Sequence, residues 1–168
     1  QARHIGKVVL VNDVPARASL ERLSPRASYL VTGGLSGLGL LTAERLVARG
    51  ARHLALVGRR APGEHALAAL AALRDRGAEV LVLQADVASA DQIAAVLRRI
   101  DAELPPLRGV VHSAGVLDDG ALLQQSWERF VVPLGPKLDG GWALHALTRD
   151  RPLDFFVTGW GTGGTLTG

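Results

Sequence analysis

A glycine-rich turn between a predicted strand and a predicted helix constrains this chain most strongly. The turn, 32–39, follows the apolar run 29–31 and opens an amphipathic stretch, and its glycines are spaced G-x-x-x-G-x-G. Glycines let backbone approach a ligand closely, and a helix N-terminus offers unpaired N–H groups that suit a pyrophosphate. The sequence therefore predicts a nucleotide site built from Thr32, Gly33, Gly34, Leu35, Ser36, Gly37, Leu38 and Gly39.

From residue 27 onward, short apolar runs alternate with amphipathic stretches. The apolar runs predict strands at 29–32, 53–57, 79–84, 108–112 and 153–157. The periodic stretches predict helices at 37–49, 64–76, 89–104, around 127 and at 137–148. Apolar strands that alternate with helices indicate a parallel sheet covered on both faces. We therefore predict an α/β fold with a doubly wound parallel sheet of the NAD(P)-binding Rossmann type, truncated after the fifth strand.

Composition excludes several classes of protein. The chain has 168 residues and is 48% hydrophobic, which is enough for one domain with a sizeable core. No apolar run approaches the roughly 20 residues of a membrane span, and no signal-peptide core opens the sequence. The absence of cysteine excludes a disulfide framework and a cysteine metal site. A net charge of +3, without basic runs interleaved with aromatics, argues against nucleic-acid binding. The expectation is a cytoplasmic protein with no membrane, nucleic-acid or metal partner.

Two arginines after the second predicted strand indicate which cofactor the turn would hold. Binders of NAD place an acidic residue about 20 residues after the glycines, where it holds the ribose 2′-hydroxyl. This chain has Arg59 and Arg60 there, and a guanidinium suits a 2′-phosphate instead. The pair therefore favours NADP(H). The alternative interpretation is ordinary surface charge on an arginine-rich chain.

The ends of the third and fourth predicted strands supply further candidate cofactor residues. Asp86 and Val87 end strand three, where an acid can accept a hydrogen bond from an adenine amine. An acidic charge or cap at the N-terminus of the next helix is an equally good interpretation. Strand four is followed by small residues where a nicotinamide ribose would lie: Ser113, Ala114 and Gly115. His112, just before them, is interpreted as a packing residue at a strand end.

These stretches, in this order, resemble the ketoreductase domain of modular type I polyketide synthases, within the short-chain dehydrogenase/reductase superfamily. The matching stretches are 32–39, 58–60, 85–87, 112–120, 136–140 and 153–157. Residues 1–10 resemble the last strand of an enoylreductase domain. The resemblance implies an upstream enoylreductase end plus linker at 1–26, an incomplete NADP-binding ketoreductase domain at 27–157, and a glycine- and threonine-rich tail outside the family pattern at 158–168.

The resemblance also implies a reaction and its partners. In the family, NADPH reduces the β-keto group of an acyl chain held on an acyl carrier protein, and other synthase domains are further partners. A tyrosine protonates the alkoxide, a serine hydrogen-bonds the carbonyl oxygen, and a lysine lowers the pKa of the tyrosine. Lys137 matches that lysine, with a surface lysine at a helix start as the alternative. Leu117, Asp118 and Asp119 match the motif of the stereochemical class that gives the D-configured alcohol.

The chain departs from its family after residue 157. The single tyrosine is Tyr29, at the start of strand one, and no serine follows Ser126, so the catalytic tyrosine and serine are absent. The expectation is a ketoreductase part that is inactive alone. Two alternatives stay open: a non-catalytic NADP-binding or interaction module, and a part that acts with a complementing chain.

Overall fold

The computed structural model describes residues 22–118 and 120–159. The enoylreductase-like residues 1–10, Asp119 and most of the predicted tail lie outside the described residues. The strands are β1 (Ser28–Thr32), β2 (His53–Gly58), β3 (Glu79–Gln84), β4 (Leu107–His112) and β5 (Phe155–Thr158). The helices are α1 (Gly37–Ala48), α2 (Glu64–Asp75), α3 (Ala90–Glu103), α4 (Trp127–Leu134) and α5 (Gly140–Thr148).

The five strands form one sheet in the order β3-β2-β1-β4-β5, and every neighbouring pair is parallel. Strand order reverses between β1 and β4, which is where such sheets place their ligands. The glycine turn leaves β1 at this reversal, because Thr32 is the last residue of β1 and lies beside His112 of β4. The predicted doubly wound parallel sheet is confirmed.

Two hydrophobic cores cover the two faces of the sheet, because successive strand side chains point to opposite faces. One core joins alternate residues of β1 and β2 to α1 and α2; Tyr29, Leu46 and Leu70 belong to it. The other joins the remaining strand residues to α3 and α5; Leu30 and Ile93 belong to it. Leu23, which precedes the predicted domain boundary at residue 27, is also buried in the first core.

The ends of the helices follow the sequence signals with one correction. Gly50 and Gly77 follow α1 and α2 with φ of 107° and 79°, as expected of glycines that terminate helices. Ser89 caps α3 by accepting from the backbone N–H of Gln92 at 3.4 Å. Ser89 and Gln92 also have the S/T-x-x-E/Q spacing of a reciprocal capping box, but only half of the box forms, because the Gln92 side chain accepts from the Asp86 N–H at 2.8 Å instead of from the Ser89 N–H. The Ser89 N–H donates to the Asp86 carbonyl at 3.1 Å.

The segment between β4 and β5 is more irregular than the two helices predicted from the sequence. A 3₁₀ turn (Leu122–Gln124) precedes α4, and a π-helical turn (Gly135–Asp139) joins α4 to α5 without a break. Pro133 lies inside α4 and Pro136 inside the π-helical turn. Since proline lacks the N–H that an α-helix needs, this part of the chain departs from regular α-helical bonding. No described helix is long and apolar enough to cross a membrane.

An aromatic stack fixes β5 against the centre of the sheet. The rings of Tyr29 and Phe155 lie parallel, with centroids 5.8 Å apart and 5° between their planes. Gly109 of β4 lies between them in the sheet, and a Cβ built on it would lie 2.3 Å from the Phe155 Cζ. The stack therefore depends on a missing side chain at residue 109.

We expect Gly109→Ala to lower the free energy of unfolding by about 1–3 kcal/mol, as overpacking does in a close-packed core. Urea unfolding monitored by circular dichroism measures the change. Gly135→Ala is the matched control, since a Cβ there meets nothing closer than Ala88 at 3.7 Å in helical backbone. Equal stability of Gly109→Ala and the unmodified chain would contradict the close packing of Phe155 on residue 109.

Candidate nucleotide site

A cleft of about 810 Å³ opens at the carboxyl ends of β1, β2 and β4. The turn after β1 forms one wall and the loop after β4 forms the opposite wall. Of the predicted site residues, the cleft is lined by Gly33, Leu35, Ser36, Gly37, Leu38, Gly39, Arg59, Arg60, Val87, Ser113, Ala114, Gly115 and Leu117. The structure therefore brings together residues from four separate stretches of the sequence.

The glycine turn is packed so tightly that a side chain at Gly33 or Gly39 would collide with neighbouring backbone atoms. Gly33 has φ of 67°, and a Cβ on it would lie 2.9 Å from the backbone N of Ala114. A Cβ on Gly39 would lie 2.2 Å from the carbonyl oxygen of Gly33. Gly37 has φ of 47° with open space around it, so its backbone faces the cleft. Thr32 and Gly34 do not line the cleft; they are buried and support the turn from behind.

The N-terminus of α1 leaves its N–H groups available to a ligand. Ser36 occupies the N-cap position but makes no side-chain capping hydrogen bond, and the first turn of α1 holds no acidic residue. By contrast, α2, α3 and α4 carry Glu64, Asp91 and Glu128 in their first turns. Since acidic side chains neutralise the positive end of a helix, α1 is the helix among these that favours an external anion.

The cleft is electrostatically suited to a phosphate. Arg59 and Arg60 lie exposed at its rim, just after β2, and no aspartate or glutamate of the described chain lines it. The Arg59 carbonyl accepts from the Gln84 side chain at 2.9 Å, which holds the backbone of this rim against β3. Two guanidinium groups, small residues on the turn and free N–H groups fit an NADP-type dinucleotide.

Asp86 lies beside the cleft with its carboxylate engaged locally. Its Oδ1 accepts from the backbone N–H of Ala88 at 3.0 Å, while its neighbours Ala85 and Val87 line the cleft. This bond closes a local turn just before α3, whose N-cap is Ser89 and not Asp86. Contact between Asp86 and an adenine stays a prediction.

Lys137 lies in the π-helical turn, next to the far wall of the cleft. A Cβ built on Gly115 would lie 3.8 Å from the Lys137 Cε, and the preceding residue, Pro136, lines the cleft. The lysine side chain is half-buried. A π-helical turn inside an α-helix is a frequent feature of functional sites. The structure therefore places Lys137 beside the loop where a nicotinamide ribose is predicted.

The motif at 117–119 forms the outer edge of the cleft. Leu117 is exposed and lines the cleft, whereas Asp118 bonds the Arg129 guanidinium of α4. Arg129 Nε donates to the two Asp118 oxygens at 3.1 and 3.2 Å, and this bonding lowers the pKa of Asp118. Asp119 is outside the described residues. The Asp118–Arg129 pair was not predicted, because the two partners lie eleven positions apart, one in a loop and the other on α4.

A second feature missed by the sequence analysis is a polar bridge under the cleft. His112 is 2% exposed; its Nδ1 lies 2.7 Å from Thr32 Oγ1, and its Nε2 lies 2.8 Å from the Pro136 carbonyl oxygen. Next to it, Ser113 Oγ donates to the Thr32 carbonyl at 2.6 Å. Burial lowers the pKa of His112, and the bond to Pro136 opposes this effect. The signal available in the sequence was a histidine at the end of an apolar strand.

The parallel sheet, the glycine turn and the lysine beside the cleft define a dinucleotide-binding domain of the short-chain dehydrogenase/reductase type. The family model of the KR domain matches residues 27–165. The chain therefore belongs to the KR domain family, the ketoreductases of polyketide synthases.

Individual relatives agree with this assignment. The chain is 43% identical over 159 residues to the phenolphthiocerol synthesis polyketide synthase Pks15/1 of Mycobacterium marinum, covering 94% of this chain and 7% of the relative. It is 44% identical over 169 residues to the spectinabilin polyketide synthase system protein NorB of Streptomyces orinoci, covering 99% of this chain and 7% of the relative. The chain thus spans less than a tenth of these two multidomain relatives.

Solved structures give the same result. A ketoreductase domain from the bacillaene assembly line is 34% identical, with a TM-score of 0.77, over 84% of this chain and 34% of that one. An A-type ketoreductase from a modular polyketide synthase is 38% identical, with a TM-score of 0.73, over 86% of this chain and 31% of that one. This chain corresponds to about a third of each solved domain.

The buried state of His112 predicts a pH dependence of stability. Its pKa in the folded state lies below the ordinary value of about 6.5, so the unfolded chain binds the proton first as the pH falls. We expect the contribution of His112 to be present above about pH 6.5 and to be lost below it, with a slope approaching about 1.4 kcal/mol per pH unit.

Urea unfolding at pH 7.5, 6.5 and 5.5 measures this slope. His112→Gln, which cannot titrate, should lose less stability over the same interval than the unmodified chain. Carboxylates with lowered pKa, such as Asp101 beside Arg151, lose their contribution only in more acidic solution. Parallel stability curves for the two proteins would contradict a neutral, buried His112.

Proposed function

We propose that this chain is the NADPH-binding part of a β-ketoacyl reductase in a cytoplasmic polyketide synthase. The observation that carries the proposal is the cleft between the glycine turn and the loop after β4, with Arg59 and Arg60 at one end and Lys137 at the other. The substrate class is a β-ketoacyl chain held on an acyl carrier protein. NADPH would supply the hydride, and the polypeptide binds and orients the cofactor.

The residues divide along the cleft by their chemistry. The N-terminus of α1 would hold the pyrophosphate, and the two rim arginines would hold the 2′-phosphate. Ser113, Ala114 and Gly115 present little side-chain bulk, so a ribose can lie against their backbone. The ammonium of Lys137 would stabilise negative charge beside that ribose, which is how a cation lowers the pKa of a neighbouring phenol.

The chain itself contains no suitable tyrosine for the proton transfer. Tyr29, the single tyrosine, is 0% exposed in the first core. Its hydroxyl accepts from the Ser24 N–H at 2.9 Å, and burial raises its pKa. A catalytic phenol requires the opposite, a lowered pKa beside the substrate. We therefore propose that the 168-residue chain binds NADPH but does not reduce ketones by itself.

The choice of NADPH over NADH is tested by removing the rim charges. The double variant Arg59→Ala/Arg60→Ala should weaken NADPH binding by about tenfold to a hundredfold, the loss expected for hydrogen bonds to a charged group. NADH binding should change much less, because NADH lacks the 2′-phosphate. Isothermal titration at constant low salt measures both affinities.

Arg98→Ala is the matched control for this titration, because Arg98 is an exposed arginine on α3, away from the cleft lining. It should leave both affinities close to those of the unmodified chain. Equal loss of NADH and NADPH affinity in the double variant would refute the assignment of the arginines to the 2′-phosphate.

Turnover is tested with the purified chain, NADPH and a β-ketoacyl thioester. We expect cofactor binding without consumption of NADPH, since the acid–base contribution of the tyrosine alone is worth about 10²–10⁴ in rate. A β-ketoacyl reductase of the same family, with its tyrosine, is the positive control. NADPH oxidation that depends on the thioester would show that the chain holds a proton donor other than tyrosine.

A further inference from the structure

One buried side chain joins the two halves of the proposed site. His112, at the end of β4, contacts β1 through Thr32 and the π-helical turn through the Pro136 carbonyl. Thr32 immediately precedes Gly33 of the cofactor turn, and Pro136 immediately precedes Lys137. Each ring nitrogen of His112 is therefore bonded to a residue that directly precedes a proposed site residue.

The chemistry of the two partners determines which nitrogen carries the proton. A carbonyl oxygen only accepts hydrogen bonds, so Nε2 of His112 must donate to Pro136. A neutral imidazole then has an unprotonated Nδ1, which accepts from the Thr32 hydroxyl. Both ring nitrogens are satisfied in this single tautomer, as a side chain buried to 2% exposure requires.

His112 reaches the π-helical turn through the backbone of the turn. None of the side chains from Gly135 to Asp139 is buried. The Pro136 carbonyl of the turn accepts a hydrogen bond from His112 beneath it. Gly140, the first residue of α5, packs closely on Val87: a Cβ built on Gly140 would lie 3.0 Å from Val87 Cγ2. Movement of the Pro136 carbonyl would shift the adjacent Lys137 relative to Gly115.

We propose that His112 is a positioning residue that sets the location of Lys137, through the hydrogen bond from its Nε2–H to the Pro136 carbonyl. The functional meaning rests on the proposed role of Lys137 beside the cofactor. His112 itself does not reach the reacting atoms, because it lies beneath the cleft and does not line it. Its second bond, to Thr32, ties the same ring to the strand that carries the glycine turn.

Two amide substitutions separate the two hydrogen bonds. In His112→Gln the amide nitrogen can occupy the place of Nε2 and donate to Pro136. In His112→Asn the shorter side chain can partner Thr32 at the place of Nδ1 but does not reach Pro136. Both variants replace the ring with an uncharged amide, and the Asn side chain is one methylene smaller than the Gln side chain.

The readout is the acetylation rate of Lys137 in the 168-residue chain without cofactor, measured by mass spectrometry relative to Lys7, the other lysine. We expect His112→Asn to change this ratio by about threefold to tenfold, the effect of one lost hydrogen bond, and His112→Gln to stay near the unmodified value. Equal ratios in the two variants, or an unchanged ratio in His112→Asn, would overturn the proposal.

A second measurement needs no variant and covers the case in which His112→Asn fails to fold. Long-range ¹H–¹⁵N correlation spectra of the unmodified chain at pH 8 report the tautomer of each histidine. The proposal requires the Nε2–H form of His112, and an Nδ1–H form would overturn it. NADPH titration of the same sample tests the proposed function separately: lack of binding there leaves the lysine result standing, while binding with equal variant ratios refutes the positioning role alone.

Discussion

The close approach of β1 and β4 at their carboxyl ends is the constraint on which the rest of the site depends. The glycine turn can leave β1 only because Gly33 has no side chain to meet the backbone of residue 114. The Ser113 hydroxyl and N–H both donate to the Thr32 carbonyl, at 2.6 and 3.2 Å, and close the same junction. The chain passes to one face of the sheet after β1 and to the other face after β4, so a gap forms between the two connections. The gap becomes a cleft of defined width because these bonds fix its floor.

The floor and the rim of the cleft differ in burial and in charge. The floor is buried: His112 is 2% exposed, both of its ring nitrogens are paired, and burial lowers its pKa. The rim is solvent-exposed and positive, at Arg59 and Arg60, where long side chains can adapt to a phosphate. A rigid base with an adaptable charged edge suits a ligand that must be held firmly at its reactive end and released after reaction.

The sequence was sufficient for the fold because its signals are local. Strand and helix bounds follow periodicity and glycine terminators, and the glycine turn, the rim arginines and the lysine occur as contiguous stretches. The Thr32–His112–Pro136 bridge could not be predicted, since it joins residues 80 and 24 positions apart. The π-helical turn was missed because its residues fit an α-helical pattern. The capping box at Ser89 forms only in part, because the Gln92 side chain bonds the N–H of Asp86. Local rules describe elements; pairings between elements need the tertiary structure.

The π-helical turn also decides which changes of length the α4–α5 segment can accept. A π turn holds one more residue than the α turn it replaces, so deleting a single residue there would restore regular α-helical bonding. The residues of α5 would then keep their direction, and Leu144 would stay buried in the second core. A further inserted residue would instead rotate α5 by about 100° around the helix axis and carry Leu144 out of that core. Within 135–139, deletion of one residue should therefore be tolerated better than insertion of one.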